Sequence, residues 1–147
     1  MLWGASILYY RTIVNKTGFL FSEIFLDHET GDHPECSERL KAIKSAVDSS
    51  KIKKDLVFVE PEEATLEQIT LIHLPEYIKS VMNSCKHGDR FINADTMICK
   101  KSYDTALWAT GGVLKVLSLI HDGTLKNGFC AVRPPGHHAE SNRAMGF

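Results

Sequence analysis

The sequence ends with RPPGHHAESNRAMGF, residues 133–147, in which two adjacent histidines follow a proline-rich turn. The prolines restrict the backbone, and Gly136 permits a backbone angle that other residues avoid. Neighbouring side chains point to opposite sides of an extended strand, but a kinked loop can aim both His137 and His138 at one point. Because histidine takes and gives protons at physiological pH, this stretch indicates a proton-transfer site.

The histidine pair has three interpretations. In the first, one histidine activates a water molecule and the other protonates a leaving group, and such transfers typically contribute about 10²–10⁴-fold in rate. In the second, the pair is an incidental feature of a surface loop. In the third, the histidines bind a metal ion, although the sequence has no H-E-x-x-H or comparable set of partner ligands. The residues around the pair therefore decide between these interpretations.

Strand and helix patterns alternate along the chain before this stretch. Short apolar runs predict strands at residues 18–21, 56–59 and 129–132. Helical spacing and capping residues predict helices at residues 37–49, 65–73, 75–88 and 102–121. Strands separated by helices imply a parallel sheet, in which ligands bind at the carboxyl ends of the strands. Two histidine-bearing loops follow strands and fit that position, residues 27–35 and 133–147.

The last helix pattern, residues 102–121, has two unusual features. It is apolar on nearly every side, which predicts deep burial. It also contains Gly111 and Gly112, each of which costs about 1 kcal/mol relative to alanine inside a helix. That cost suggests close contact with another backbone. Ser102 is the predicted N-cap, and the preceding residues 89–101 predict a long loop, a class that is often functional.

Composition excludes several functional classes. The chain has 147 residues and a formal net charge of -1, which gives no support for binding nucleic acid or anionic membranes. Its four cysteines form no C-x-x-C pair, so we expect free thiols in a reducing, cytoplasmic compartment and no zinc ribbon. The apolar start, MLWGASILYY, is shorter than the about 20 residues of a membrane span and lacks the features of a signal peptide. We treat residues 1–16 as an N-terminal extension.

The motif R-P-P-G-H-H-A-E followed by G-F resembles the active-site loop of the histone deacetylase family. That family includes acetylpolyamine amidohydrolases and other bacterial deacetylases of the arginase–deacetylase fold. The earlier blocks resemble the family's blocks in the same order: Asp27-His28, His33-Pro34-Glu35 and Arg39-Leu40, then His73 to Ile78, Ala94-Asp95-Thr96, and Tyr103 to Gly112. Ser37 stands where the family usually has proline, which changes little because either residue can start a helix.

The resemblance implies a fold and a reaction. The fold is α/β, a three-layer parallel sheet of the arginase–deacetylase type, of which residues 17–147 would form only the N-terminal portion. The reaction is hydrolysis of acetyl-lysine or acetylpolyamine amides at a zinc ion, which polarises the carbonyl and lowers the pKa of a bound water. His137 and His138 match the tandem histidines, of which one accepts the proton of water and the other helps to protonate the departing amine. The sequence does not decide which histidine does which.

Four further residues receive roles from the resemblance. Gly146 matches a glycine whose backbone contacts the substrate amide, and Phe147 matches one aromatic wall of the acyl-lysine channel. Asp95 matches the loop aspartate that clamps the substrate backbone, with an ordinary solvated aspartate as the alternative. Arg39 matches an arginine lining an internal cavity from which acetate leaves, with a helix-surface arginine as the alternative. We interpret three other histidines as structural: His28, His33 and His73.

The zinc ligands are expected to be missing from this chain. In the family, an Asp-x-His segment and a further aspartate bind zinc after the Gly-Phe element, and the transition-state tyrosine comes later still. No Asp-x-His segment occurs in the sequence. We therefore expect the N-terminal part of a deacetylase, inactive alone, that is a truncated gene product, a fragment or one piece of a split enzyme. In the last case its partner would be the missing C-terminal part. The alternative is a non-catalytic remnant or binding module of the same fold, forming a homo-oligomer through an open sheet edge.

Overall fold

The computed structural model describes residues 16–146, which form one α/β unit of three strands and four helices. The strands are β1 (Thr17–Leu20), β2 (Leu56–Val59) and β3 (Asn127–Cys130). The helices are α1 (Ser37–Ser49), α2 (Leu66–Thr70), α3 (Pro75–His87) and α4 (Ser102–His121). Two short 3₁₀ turns lie at Glu23–Leu26 and Lys51–Asp55. Residues 1–15 of the predicted N-terminal extension lie outside the described residues.

The strands form a parallel sheet in the order β2-β1-β3, which confirms the parallel topology predicted from the alternation of elements. Thr17 pairs with Leu56 on one side and with Asn127 on the other. The central strand β1 is therefore covered on both edges, and its Phe19 and Leu20 are buried. The carboxyl ends of β1 and β3 meet at one edge of the sheet, from which the two histidine-bearing loops leave.

The third strand lies two residues earlier than predicted. The apolar run suggested residues 129–132, whereas β3 pairs with β1 over Asn127–Cys130. Its bounds follow the four residues of β1, because pairing can extend only as far as the partner strand does. One more bond, from Ala131 N to Leu20 O at 2.8 Å, follows the strand before the chain turns into the histidine loop.

The helix boundaries mostly agree with the sequence. Thr65 and Gln68 form the predicted capping box, in which each side chain accepts a hydrogen bond from the other residue's backbone N–H. The helix α2 ends at Thr70, earlier than predicted, since the chain must turn before Pro75 begins α3. Gly88 ends α3 with a left-handed φ of 84°.

The long helix α4 differs from its prediction in two ways. Ser102 is its first residue and not its N-cap, because its hydroxyl accepts a hydrogen bond from Cys99 N at 2.8 Å in the preceding turn. The helix is also buried on one side only: Thr105 and Val116 are enclosed, while Leu117 is 55% exposed among the described residues. Apolar composition alone therefore overstated the burial of α4.

Gly111 confirms the predicted contact of α4 with another backbone, whereas Gly112 contacts side chains. A Cβ on Gly111 would lie 2.1 Å from Glu62 O and 2.5 Å from Ala64 N, so the backbone before α2 lies directly on the helix. Ala64 N donates to Leu107 O at 3.1 Å across the same contact. A Cβ on Gly112 would meet only side chains, with Leu20 Cδ2 nearest at 2.9 Å. The absence of a side chain thus allows α4 to pack against the segment that follows β2.

The four cysteines, all within the described part of the chain, are free thiols as predicted. Burial raises the pKa of the Cys85 and Cys130 thiols. Between residues 16 and 146, no helix combines the length and the apolar character needed to cross a membrane.

Candidate active site

The two histidines occupy the centre of a tight turn. Ala139 N donates to Gly136 O at 3.1 Å, so His137 and His138 are the two central residues of a β-turn. Gly136 has a φ of 69°, which a glycine adopts without strain. The imidazole ring centroids lie 4.3 Å apart and the ring planes meet at 54°. Both side chains are exposed and lie side by side.

Gly146 lies against one of these rings. Its φ is 71°, and a Cβ at this position would be only 2.9 Å from Cδ2 of His138. A larger residue would therefore push the imidazole away and strain the backbone. The structure brings Gly146 together with the histidine pair, while Phe147, the predicted channel wall, lies outside the described residues.

Arg133 anchors the beginning of the histidine loop, at the cis Arg133–Pro134 bond. Its side chain is 1% exposed, and its Nε donates to both carboxylate oxygens of Glu35 at 2.8 and 2.9 Å. Nη1 donates to His28 O at 2.8 Å, and Nη2 donates to Thr30 Oγ1 at 3.2 Å. This guanidinium thus ties the loop after β3 to the loop after β1.

This buried ion pair was missed by the sequence analysis, which assigned no role to Arg133 or Glu35. Burying both charges costs desolvation energy, which only good geometry and further hydrogen bonds can offset. The signal was nevertheless present in the sequence. Arg133 directly follows the apolar residues Ala131 and Val132, and an arginine is rarely buried unless an acidic partner accompanies it.

His28 extends the buried cluster toward α4. Its Nδ1 lies 2.7 Å from Ser102 Oγ, and its side chain is 2% exposed. The pKa of His28 is lowered to about 4: burial is the largest cause, the nearby Arg133 charge also lowers it, and Glu35 opposes the shift. Its Nε2 has no hydrogen-bond partner among the described residues. A neutral, packed histidine fits the structural role that the sequence analysis gave to His28.

Lowering the pH from 7 to about 4.5 is expected to destabilise the chain through His28. Its folded pKa is about 4, against about 6.5 in an unfolded chain. As the pH falls through this window, the unfolded state gains a proton that folded His28 does not take. This stability is complete above pH 6.5 and falls by about 2 kcal/mol at pH 4.5. Urea unfolding at pH 7 and at pH 4.5 measures the change in the free energy of unfolding. The H28Q variant has no titrating group at this position, so its loss of stability between the two pH values should be smaller by about 2 kcal/mol. Equal losses in both proteins would contradict this assignment.

A second anchor holds the middle of the histidine loop. His73 Nδ1 lies 2.9 Å from Glu140 O, to which it can donate a hydrogen bond. Leu74 N donates to Ser141 O at 2.8 Å. The turn between α2 and α3 thereby supports the histidine loop, and His73 has the structural role predicted for it. His33 is also structural, since its Nδ1 accepts from Glu35 N at 2.9 Å.

A third anchor holds the end of the loop. Asn93 Nδ2 donates to Ala144 O at 2.8 Å, which ties residues 89–101 to the segment before Gly146. The predicted substrate clamp, Asp95, lies in the same turn, where its backbone N–H donates to Asn93 Oδ1 at 2.9 Å. The Asp95 carboxylate is exposed. Its contact with a substrate stays a prediction.

Arg39 lies apart from the histidine turn. Its side chain is 59% exposed on α1, and Nη1 lies 3.5 Å from Glu35 Oε1. Within residues 16–146 it is therefore a helix-surface arginine, which was the alternative interpretation. A role in an internal acetate cavity stays a prediction.

The described residues do not fit a zinc ion. Across residues 16–146, no group of three or more His, Cys, Asp or Glu side chains is arranged to hold a metal. The carboxylate nearest the histidine pair in sequence, Glu140, instead pairs with Arg143 at 2.7 Å. The arrangement described here can move protons through the two imidazoles but supplies no metal chemistry.

Comparison with known proteins shows the family of this chain. The model of the histone deacetylase domain matches residues 33–147. A probable deacetylase of Archaeoglobus fulgidus is 34% identical over 89% of this chain and 37% of its own length. Histone deacetylase 5 of Arabidopsis thaliana is 31% identical over 90% of this chain and 22% of its own length.

A solved structure agrees with these relatives. The crystal structure of the HDA15 HD domain superposes with a TM-score of 0.85 at 29% identity, over 91% of this chain and 40% of that one. The three-stranded parallel sheet is thus a portion of an arginase–deacetylase fold. The chain spans less than two fifths of the length of the two curated relatives. By its sequence and its fold, the chain belongs to the histone deacetylase family.

Proposed function

We propose that this chain contributes the proton-transfer residues of a deacetylase that hydrolyses acetyl-lysine or acetylpolyamine amides. The observation that carries the proposal is the pair of imidazoles of His137 and His138, 4.3 Å apart on one turn. Three anchors hold the loop that carries them, through Arg133, Glu140–Ser141 and Ala144. Such fixed positions favour catalysis, because the reacting groups need no rearrangement.

In this proposal the two histidines carry out two successive proton transfers. One neutral imidazole takes a proton from water as the water oxygen forms a bond with the acetyl carbonyl carbon. The carbon–nitrogen bond of the resulting tetrahedral intermediate then breaks, and an imidazolium gives a proton to the departing nitrogen. The products are acetate and a free amine. Since His137 and His138 lie side by side, both can reach one substrate.

The remaining site residues act on the substrate in this proposal. The backbone of Gly146, which lies against His138, contacts the substrate amide. Phe147 forms an aromatic wall of the channel, and the exposed Asp95 carboxylate holds the substrate backbone at its rim.

We propose that the zinc ion of this chemistry is held by residues outside 16–146, in an associated part of the domain. When bound, zinc supplies polarisation of the carbonyl and of the attacking water. The four free thiols are consistent with a reducing, cytoplasmic setting. The proton transfers proposed for His137 and His138 require no metal ligand from residues 16–146.

H137A and H138A are each expected to lower kcat by about 10²–10⁴-fold, because each removes one proton-transfer group. The measurement is acetate release from acetyl-lysine peptide and acetylspermidine by a complemented preparation. In this preparation the chain is mixed with the part of the Archaeoglobus fulgidus relative that it does not match, and with zinc. The kcat of the H137A/H138A double variant should be little lower than that of the less active single variant, since the two groups act together.

H121A is the matched control, because His121 is an exposed histidine at the end of α4, before the start of β3, whereas the turn follows the end of β3. Its kcat should stay within about twofold of wild type, as for most surface substitutions. Undiminished acetate release by H137A and H138A would overturn the proposal and favour a non-catalytic binding module.

A further inference from the structure

Asn93 lies at the tip of a narrow hairpin-like loop. Ile92 N donates to Thr96 O at 3.0 Å, and Ile98 N donates to Arg90 O at 2.9 Å. Between them, Phe91 and Met97 form an isolated antiparallel bridge. These bonds give the loop a defined shape, so its tip can act as a fixed support for other parts of the chain.

The side chain of Asn93 joins this tip to the histidine loop. Its Oδ1 accepts hydrogen bonds from Asp95 N and Thr96 N, both at 2.9 Å, which is the Asx turn typical of asparagine. Its Nδ2 donates to Ala144 O at 2.8 Å. One amide group therefore fixes the backbone on which Asp95 sits and, at the same time, the carbonyl of Ala144.

Ala144 leads into the residue that lies against His138. Ala144 is buried, which makes the position of this short segment well defined. Two residues later, Gly146 turns with its left-handed φ of 71°, and its α-carbon faces the edge of the His138 ring. A displacement of Ala144 would move Gly146 and so change the space open to that imidazole.

We propose that Asn93 is a positioning residue that sets the place of His138 through Ala144 and Gly146. It thereby couples the substrate-clamping loop to proton transfer, and this inference rests on the proposed function. Asparagine suits this position because its side chain both accepts and donates hydrogen bonds. An aspartate would keep the Asx turn but would place a negative oxygen against the Ala144 carbonyl.

The first test is spectroscopic and needs no activity. In the isotopically labelled full chain, N93D should shift the His138 Cδ2–H and Gly146 amide NMR signals and leave the His121 ring signal in place. N83D is the matched control, since Asn83 is exposed on α3 and adds the same charge away from Ala144. N93S, which keeps a turn acceptor without adding charge, should shift the same two signals. Unmoved signals in N93D and N93S, or equal shifts in N83D, would overturn the inference.

The second test is kinetic, in the complemented preparation. N93D should lower kcat about tenfold, the effect of one hydrogen bond, with KM within about twofold because the Asx turn persists. N93A loses the turn as well, so its KM should also rise. If H138A abolishes acetate release while N93D and N93S keep the wild-type kcat, this inference fails and the proposed function stands. If H138A has no effect, the proposed function fails, and the NMR result alone decides whether Asn93 positions His138.

Discussion

Replacing Arg133 by methionine is expected to destabilise the chain by about 3–5 kcal/mol. The guanidinium is 1% exposed and its partner Glu35 is 5% exposed, so the variant would leave a carboxylate buried without its counter-charge. It would also leave the oxygens of His28 and Thr30 without their donor. Chemical denaturation with urea, followed by circular dichroism, measures the change in the free energy of unfolding.

The chain offers a matched control for this prediction. Arg39 approaches the same Glu35 at 3.5 Å, but its side chain is 59% exposed. R39M should therefore cost less than about 1 kcal/mol, as is usual for an exposed ion pair. The double variant R133M/E35L should recover part of the loss, because it removes both buried charges. Similar losses in R133M and R39M would show that the buried pair does not tie the two loops together.

Replacing Gly111 by alanine is expected to cost about 3 kcal/mol or more. Alanine is the better helix former by about 1 kcal/mol, so intrinsic propensity alone predicts a gain in stability. The new Cβ, however, would lie 2.1 Å from Glu62 O and 2.5 Å from Ala64 N. Backbone atoms cannot rotate away as side chains do, so α4 or the segment before α2 must shift. The midpoint of urea unfolding reports this loss.

Gly112 is the natural comparison, one residue further along the same helix. A Cβ there would meet Leu20 Cδ2 at 2.9 Å and Pro61 Cβ at 3.1 Å, both of them side-chain atoms. G112A should therefore lose clearly less stability than G111A, since the leucine can adjust while both variants gain the same propensity. A G111A chain as stable as wild type would contradict the close backbone packing described here.

Much of the fold could be predicted because local patterns control it. The Thr65–Gln68 capping box, the proline that starts α3 and the glycine that ends it each act through neighbouring residues. Gly111 of α4 also gave a correct long-range prediction, because its cost in a helix required a compensating contact. The same prediction was wrong for Gly112, which meets side chains and no backbone. The bounds of β3 were wrong by two residues, since they depend on the length of a distant partner strand.

The histidine turn was predictable for a similar reason. Proline, proline and glycine before His137 restrict the local backbone, and the observed turn places both rings together. The supports of that turn were not predictable in this way. Arg133 meets Glu35 across 98 positions of sequence, and Asn93 meets Ala144 across 51. Such contacts depend on how the three loops assemble at one end of the sheet.

The site therefore consists of a local motif held by three long-range contacts. Arg133 fixes its start, His73 its middle and Asn93 its end. Since each contact comes from a different loop, the position of His138 depends on the whole unit being folded. This dependence explains why a short exposed turn can hold two imidazoles in a defined arrangement.

Acetate release by the full chain, alone and in the complemented preparation, shows directly whether the histidine pair belongs to one half of a shared deacetylase site. We expect no release from acetyl-lysine peptide or acetylspermidine by the chain alone, with or without added zinc. We do expect release in the complemented preparation that a chelator abolishes and that H137A or H138A reduces by about 10²–10⁴-fold. Equally fast release by the chain alone, unaffected by the chelator, would contradict the assignment of the histidine pair to one half of a shared deacetylase site.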